Sequence, residues 1–470
     1  MISGDTTVTL KGLTDQAQAL QQQGNQHGAI DLYTKAATMY PDSAVAEHNL
    51  AAALGDIGRA SEAESRIRRA FAKGLNAPES WLVLARALLA QGKLNEAKNA
   101  FERTIELNPD MFVAHYELAQ LIWMSTADSA AAIAPLDAEL KANPDKVELY
   151  GTKARVLMYT EGAQATYDFV TASLKLWPND GKLLGSGIDS AALVGELRSA
   201  VEMSDHLISM RPDSAAAQEM RAIALLASGR ADEVLPMAKA MCAAYPGDQH
   251  ALAILATASR LVGDARHKEL YDYDEFVRPY QLVTPQGWES LDEYLSVLGA
   301  SLRERHPFAT HPFSNSEEHG SKISDILEMD DPAIKAFREA VTPAVDEHLA
   351  HLGTGTDPMR SRNTGAWKID GIWSVWLKPD GFHHNHVHPA AWLSSACYIE
   401  LPDSVSAGGQ EGWIKFGEPG LVTRPKLAHE HAVKPEPGML VLFPSYMWHG
   451  TIPFSGDEPR LTIAFDIVPE

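Results

Sequence analysis

Cysteine is nearly absent from this chain of 470 residues: Cys242 and Cys397 stand alone, each inside an apolar stretch. Two thiols cannot build a disulfide framework or a four-thiolate zinc site, so both read as small buried hydrophobes. No run of about 18 apolar residues exists to cross a bilayer. The opening "MISGDTTVTLKG" lacks a basic start followed by an apolar core. It therefore does not read as a signal peptide, and the cytoplasm is the default location. Basic runs are missing too. With 40 Lys and Arg against 62 Asp and Glu, the formal net charge is −22. That argues against nucleic acid or an anionic membrane as partner, because both attract clusters of Lys and Arg. What remains is an ordinary soluble composition in a chain long enough for two or more domains.

The first half repeats itself. Prolines fall at Pro41, Pro78, Pro109, Pro144, Pro178, Pro212 and Pro246, and the spacings from Pro109 onward are 35, 34, 34 and 34. Within the unit that opens at Pro78, Trp81, Leu84, Ala85 and Gly92 precede Ala97 and Phe101, and Pro109 closes it. Ala17, Ala29, Tyr33 and Ala36 take matching places in the first unit, and Leu50, Ala51, Ala63 and Ala70 in the second. Small residues stand where helices must approach closely, and large ones fill the gaps. This period and pattern resemble tetratricopeptide repeats, in which pairs of antiparallel helices stack into a solenoid. About seven units are expected over residues 1–264, with "ALAILATASRLVGD" (251–264) as a closing half-unit. Such an array grips a peptide or protein in its concave face, or serves as a scaffold or homodimer surface.

After residue 264 the alanine-rich text gives way to aromatics and proline. A helical linker is expected over 265–300, then a domain over 301–470. "LDEYLSVLGASLRERH" (291–306) and "DPAIKAFREAVTPAVDEHLAHLG" (331–353) read as helices, the second started by Asp-Pro and ended by glycine. Short β-branched or aromatic runs follow at 372–377, 394–401, 412–417, 438–444 and 460–468, separated by turn residues. The expected architecture is multidomain α + β: an all-α solenoid, then a jelly roll (a double-stranded β-helix) with supporting helices. The stretch 306–320, "HPFATHPFSNSEEHG", reads as an entry loop or a plain connection.

"GFHHNHVHPAAW" (381–392) crowds four histidines into six positions. On an extended strand, His384, His386 and His388 share one face and His383 the other. Neighbours two apart can reach one ion, so the metal pair is 384/386 or 386/388. His449 follows a strongly apolar strand and offers a third ligand. Arg460 and Thr462 come next, on one face of the last strand. A buried arginine in a barrel is costly unless it meets an anion, and a dicarboxylate would supply one with bidentate geometry.

In this order, "NHVHP", "SSACYIELP", "GWIKFGEP" and "PGMLVLFPSYMWHG…PRLTIAFDIVP" resemble the non-haem iron, 2-oxoglutarate-dependent oxygenases fused to tetratricopeptide arrays. The resemblance covers roughly residues 300–470. It implies Fe(II) held by His386, His388 and His449, and 2-oxoglutarate bound by Arg460 with Thr462 and Tyr398. O2 would be the oxidant, succinate and CO2 the by-products, and a hydroxylated peptide or protein the product. One departure stands out. The family's usual triad is two histidines and a carboxylate, and His388 occupies the carboxylate position. A small residue there would leave room for halide, so His388 argues against halogenation. It also motivates a second reading, a three-histidine dioxygenase independent of 2-oxoglutarate; a third is a non-catalytic scaffold with a metal-binding barrel. His383 and His384 read as supporting or substrate-facing residues, and His429 and His431 as loop residues. Trp392, Trp413 and Trp448 read as core or as pocket wall.

Overall fold

The computed structural model describes residues 9–313 and 316–470, which fall into two compact units, Met1–Ser125 and Thr126–Glu470. Residues 1–8 of the opening stretch and 314–315 of the 306–320 stretch lie outside the described residues.

The first unit is helical: α1 (Leu10–Gln22), α2 (Gln26–Met39), α3 (Ala44–Asp56), α4 (Ala60–Ala72), α5 (Pro78–Ala90), α6 (Leu94–Leu107) and α7 (Phe112–Thr126). Ala17, Ala29, Ala51, Ala63, Ala85 and Ala97 are fully buried, so the helices meet backbone to backbone at these points. Tyr33, Ile67 and Phe101 fill the spaces between them, each burial stabilising by roughly 1.5–3 kcal/mol.

The second unit continues with α8 (Ser129–Ala142), α9 (Val147–Thr160), α10 (Ala163–Leu174), α11 (Gly181–Val194), α12 (Leu197–Met210), α13 (Ala215–Ala227), α14 (Ala231–Ala244) and α15 (Gln249–Val262). Asp180 and Asp248 cap α11 and α15, each accepting two backbone N–H groups at 2.9–3.1 Å. Gly263, at φ 75, stops α15 in the left-handed conformation that side chains avoid. Every residue of α15 from Ala251 to Ser259 is buried. A helix buried all round has a second layer over it, and here that layer is the β-rich remainder of the chain.

That remainder runs α16 (Arg266–Leu270), α17 (Tyr273–Phe276), β1 (Arg278–Gln281), α18 (Leu291–Arg303), β2 (Glu317–Ser324), α19 (Pro332–Leu352), β3 (Trp367–His383), β4 (Leu393–Glu400), β5 (Ile414–Phe416), β6 (His431–Val433), β7 (Met439–Pro444), β8 (His449–Thr451) and β9 (Arg460–Pro469). The six-stranded sheet has order β1-β7-β4-β9-β3-β2 and the three-stranded sheet β6-β5-β8, every pairing antiparallel. An isolated antiparallel bridge, His386 to His449, ties the segment after β3 to the smaller sheet. Asp331 caps α19 on Ala333 and Ile334, and Gly353 ends it. Phe337 of this helix meets Phe465 of β9 edge to face, with ring centroids 6.0 Å apart.

Two expectations are corrected. Residues 265–300 are not only a helical linker, because β1 pairs with β7 as an edge strand of the larger sheet. A four-residue run with a central proline carries little strand signal, and an edge position is where proline is tolerated. The stretch 306–320 is not all loop either, since Glu317 onward forms β2 against β3.

Contacts between the helices and strands are polar as well as apolar. The Trp448 indole donates to Thr257 Oγ1 of α15 at 3.0 Å. Arg260 donates to the carbonyls of Gly417 and Ala428, each at 2.9 Å. Glu430 accepts from Tyr273 at 2.8 Å and pairs with Arg260 at 3.2 Å and His267 at 2.7 Å.

The strand region also buries neutral histidines away from any metal-like cluster. His306 bonds Ser321 Oγ and Ser374 Oγ at 3.0 and 3.1 Å, and His348 meets Tyr280 at 3.0 Å. Burial pulls His306 down to about 4. Burial, with His351 and Arg278 nearby, pulls His348 down to about 3. Both lie below the ordinary 6.5, so on acidification the unfolded chain takes up these protons first. Their contribution is complete above that value and is lost as pH falls towards 4, at roughly 1 kcal/mol per pH unit for each ring. Asp189, raised to about 6 mainly by burial, acts in the opposite direction and offsets part of one ring. The melting temperature should therefore fall steadily between pH 6.5 and 4.5, and His306→Gln should flatten that slope; a melting temperature constant across the window would refute this account.

Candidate metal centre

β3 ends at His383, and the chain then bends at Asn385. Two glycines make room for this bend. A Cβ on Gly420 would stand 2.0 Å from the Asn385 carbonyl oxygen, and one on Gly450 would stand 2.5 Å from Asn385 Oδ1. The bend overturns the strand-parity expectation. His384 leaves the other rings to pair with Glu318 at 3.2 Å, both still lining the cavity. His383, expected on the opposite face, lines the cavity instead, its Nδ1 3.0 Å from Ser316 Oγ. His386 and His388 remain together and meet His449.

These three imidazoles form one cluster. One nitrogen from each lies within 4.8 Å of the others, and the ring centroids are 4.2, 5.0 and 5.1 Å apart. His386 and His449 exchange backbone hydrogen bonds at 2.9 and 3.1 Å, which fixes their relative position. Each ring is also held through Nδ1. His386 Nδ1 donates to the His384 carbonyl at 2.8 Å and His449 Nδ1 to the Met447 carbonyl at 2.9 Å. His388 Nδ1 donates to the Asp466 carboxylate at 2.7 and 2.9 Å. The acceptors are oxygens, so a proton is assigned to Nδ1 of each ring, which makes Nε2 the atom available as a ligand. Burial, with the neighbouring rings, pushes His386 down to about 3 and His449 well below its ordinary range, so both are neutral. Three imidazole nitrogens are a donor set suited to a first-row transition metal.

β9 carries the other polar face. Arg460, Thr462, Ala464 and Asp466 alternate inward along this strand, and all four line a cavity of about 820 Å³ shared with the three histidines. Arg460 is 3% exposed, no carboxylate pairs with it among the described residues, and its Nε has no hydrogen-bond partner. Its guanidinium lies 5.0 Å from the centre of the Tyr398 ring. Tyr398, expected to meet a cosubstrate, does not line the cavity among the described residues. It is register partner to Thr462 and backs Arg460 from β4. A buried guanidinium without an anion costs several kcal/mol, so an anionic ligand in this cavity is the natural complement. The residues thus fit both a metal on the histidines and a carboxylate at Arg460.

The other candidates sort as follows. Trp392 is core, its indole donating to the Met359 carbonyl, whereas Trp448 lines the cavity and Trp413 is half-buried. His429 stays in a loop; His431 opens β6 and stacks on Tyr273 at 5.2 Å, away from the cavity. Several charged cavity residues were not singled out from sequence. Asp466 was legible by continuing the Arg460–Thr462 alternation two steps further. Glu317 and Lys322 sit on β2, and Asp189 comes from the solenoid; no local pattern marks any of these.

The comparisons agree with this geometry. Residues 371–466, from β3 into β9, match the family described as "Putative 2OG-Fe(II) oxygenase". Residues 13–43, 48–97 and 82–147 match tetratricopeptide repeats. RNA polymerase II-associated protein 3 of Rattus norvegicus is 31% identical over 132 residues, which are 27% of this chain and 20% of that protein. The chain thus spans about a fifth of this curated relative. Among solved structures, the first TPR of Spaghetti (RPAP3) bound to an HSP90 peptide is 31% identical, covering 24% of this chain and 89% of that one, with a TM-score of 0.23. A tetratricopeptide repeat protein from Parabacteroides merdae is 16% identical and covers 53% of this chain and 98% of that one, with a TM-score of 0.38. The chain thus joins N-terminal segments that match tetratricopeptide repeats to a C-terminal segment that matches the 2OG-Fe(II) oxygenase family.

Asp466 is the residue whose role is most open to measurement. Removing its charge while keeping an acceptor (Asp466→Asn) should weaken Fe(II) or Co(II) binding about 10- to 100-fold without lowering the melting temperature. Competition titration against a metal chelator reads this, and unchanged affinity would leave Asp466 a merely structural partner.

Proposed function

We propose that the protein is an Fe(II)- and 2-oxoglutarate-dependent oxygenase that hydroxylates a peptide or protein, releasing succinate and CO2. Residues 1–264 would form the repeat array, and residues 301–470 the oxygenase domain, joined through the segment between them. The observation that carries the reading is one cavity holding both three imidazoles and a buried arginine that no carboxylate pairs among the described residues. His386, His388 and His449 would hold the iron, and Arg460 and Thr462 the distal carboxylate of 2-oxoglutarate, with Tyr398 fixing the guanidinium from behind.

Bound iron would supply the oxidising chemistry, activating O2 at the expense of 2-oxoglutarate. The chain's own part is positioning. The Nδ1 bonds to carbonyl and carboxylate oxygens set the direction of each imidazole. Phe443, Trp448 and Val375 wall the cavity with apolar surface, which excludes water from the reacting atoms. Helical repeats serve peptide and protein recognition in relatives such as the HSP90-peptide complex above, and the same use of the repeats is proposed here.

His388 in place of a carboxylate favours one competing reading, a three-histidine dioxygenase that needs no cosubstrate. Anaerobic protein loaded with Fe(II) separates the two. Adding 2-oxoglutarate should give a weak visible charge-transfer band, absent in His449→Ala, and Arg460→Ala should raise the 2-oxoglutarate concentration needed by about tenfold or more. Iron binding with no response to 2-oxoglutarate would remove the proposal in favour of the competitor.

A further inference from the structure

The cavity over the histidines is not closed by the barrel alone. Met158 and Tyr159 of α9, Asp189 of α11, Ile223 of α13 and His250 of α15 complete its lining. These are the first helices of successive repeats, so the inner face of the solenoid forms one wall. A second hollow of about 380 Å³ adjoins along α9, α11 and α13 and shares Met158, Tyr159 and Asp189 with the first. Asp189 therefore stands where the two spaces meet.

The charges facing the main cavity can be assigned one by one. Asp466 is bonded to His388 and Glu318 to His384. Arg460 is the group suited to the cosubstrate in the reading above. Lys322 lies 3.7 Å from Glu317 Oε1 and 4.4 Å from the Trp373 ring centre. Two acidic groups are left with unmet capacity. Glu317 is 2% exposed and its Oε2 accepts no hydrogen bond among the described residues. Asp189 has no hydrogen-bond or ion-pair partner among the described residues, and its neighbour Glu219 is taken by His250 at 2.8 Å. Burial, reinforced by Glu219 and only partly countered by His250, pushes the Asp189 carboxyl up to about 6. Nor does the helical repeat need an acid here: one period of 34 residues away stand Arg155 and Ile223.

We propose that this cavity recognises its substrate by a cationic side chain, a lysine or arginine, received by the carboxylates of Asp189 and Glu317. The surrounding wall fits such a side chain. Met158, Ala192, Leu193 and Ile223 offer apolar surface for its methylene stem, and the two acids offer charge to its head. The proposal rests on the oxygenase reading only for the role of Arg460; the acidic site stands on its own contacts.

Its test uses the full-length chain and fluorescein-labelled heptapeptides of alanine and glycine with a central Arg, Lys, Gln or Leu, followed by fluorescence anisotropy. The Arg and Lys peptides should bind about tenfold or more tightly than the Gln and Leu peptides. The isosteric Asp189→Asn should abolish that preference and Glu317→Gln should reduce it, both with unchanged melting temperature. Equal affinity across the four peptides, no saturable binding by any of them, or a preference that survives Asp189→Asn would each overturn the proposal. The Fe(II)–2-oxoglutarate absorbance of the same variants separates the two readings. A persisting band with no cationic preference defeats only the substrate assignment, whereas a cationic preference without the band defeats only the oxygenase reading.

Discussion

The histidine cluster depends on a short buried segment, Ser445–His449, whose polar groups are satisfied by the end of the helical array. Tyr271 is the joint. Its hydroxyl donates to the Tyr446 carbonyl at 3.1 Å and accepts the Trp448 N–H at 2.9 Å. Tyr446 returns a bond to the Leu270 carbonyl at 3.0 Å, and the Trp448 indole reaches Thr257. Buried backbone groups left unpaired cost roughly 1–3 kcal/mol each, so this segment is well held only when α15 and the residues after it are in place. His449 takes its direction from the same segment, through the Met447 carbonyl. The helical half is thus part of what aims the third imidazole.

The replacement of a carboxylate by His388 looks severe if only direct metal contacts are counted. A neutral imidazole gives the metal one negative charge fewer than a carboxylate. Asp466 returns that charge one hydrogen bond away, and Ser394 steadies Asp466 at 2.8 Å. The histidine–carboxylate pair raises the basicity of the ring and fixes its tautomer. On the proposed function, His388 and Asp466 together would occupy the place that a single aspartate or glutamate fills in the commoner triad.

Much of this was legible in the sequence, for reasons that particular residues make plain. The 34-residue period marked the helices because fully buried alanines such as Ala51 and Ala85 must recur wherever helices touch. His386, His388, His449, Arg460 and Thr462 were legible because strand alternation carries across β9 and because histidines crowd at 383–388 ahead of a lone His449 after an apolar strand. Alternation failed at His383 and His384, where the strand ends and the chain bends; the bend depends on Gly420 and Gly450, which are distant in sequence. The strands β1 and β2 were missed because tertiary pairing, rather than local pattern, holds them in the sheet. Asp189 carries no signal in its own repeat, since its meaning comes from the cavity it faces.

That last point bears on how the two architectures work together. A repeat array joined to an enzyme by a tether would act by raising the local concentration of substrate, and its sequence would not touch the reaction. Here α9, α11, α13 and α15 supply side chains to the wall of the same space that the histidines line. A residue on those helices then acts directly on the position of whatever enters, where misplacement by about 1 Å can cost a hundredfold in rate. The inner face of these repeats and the mouth of the barrel form a single surface, and specificity has to be sought on both.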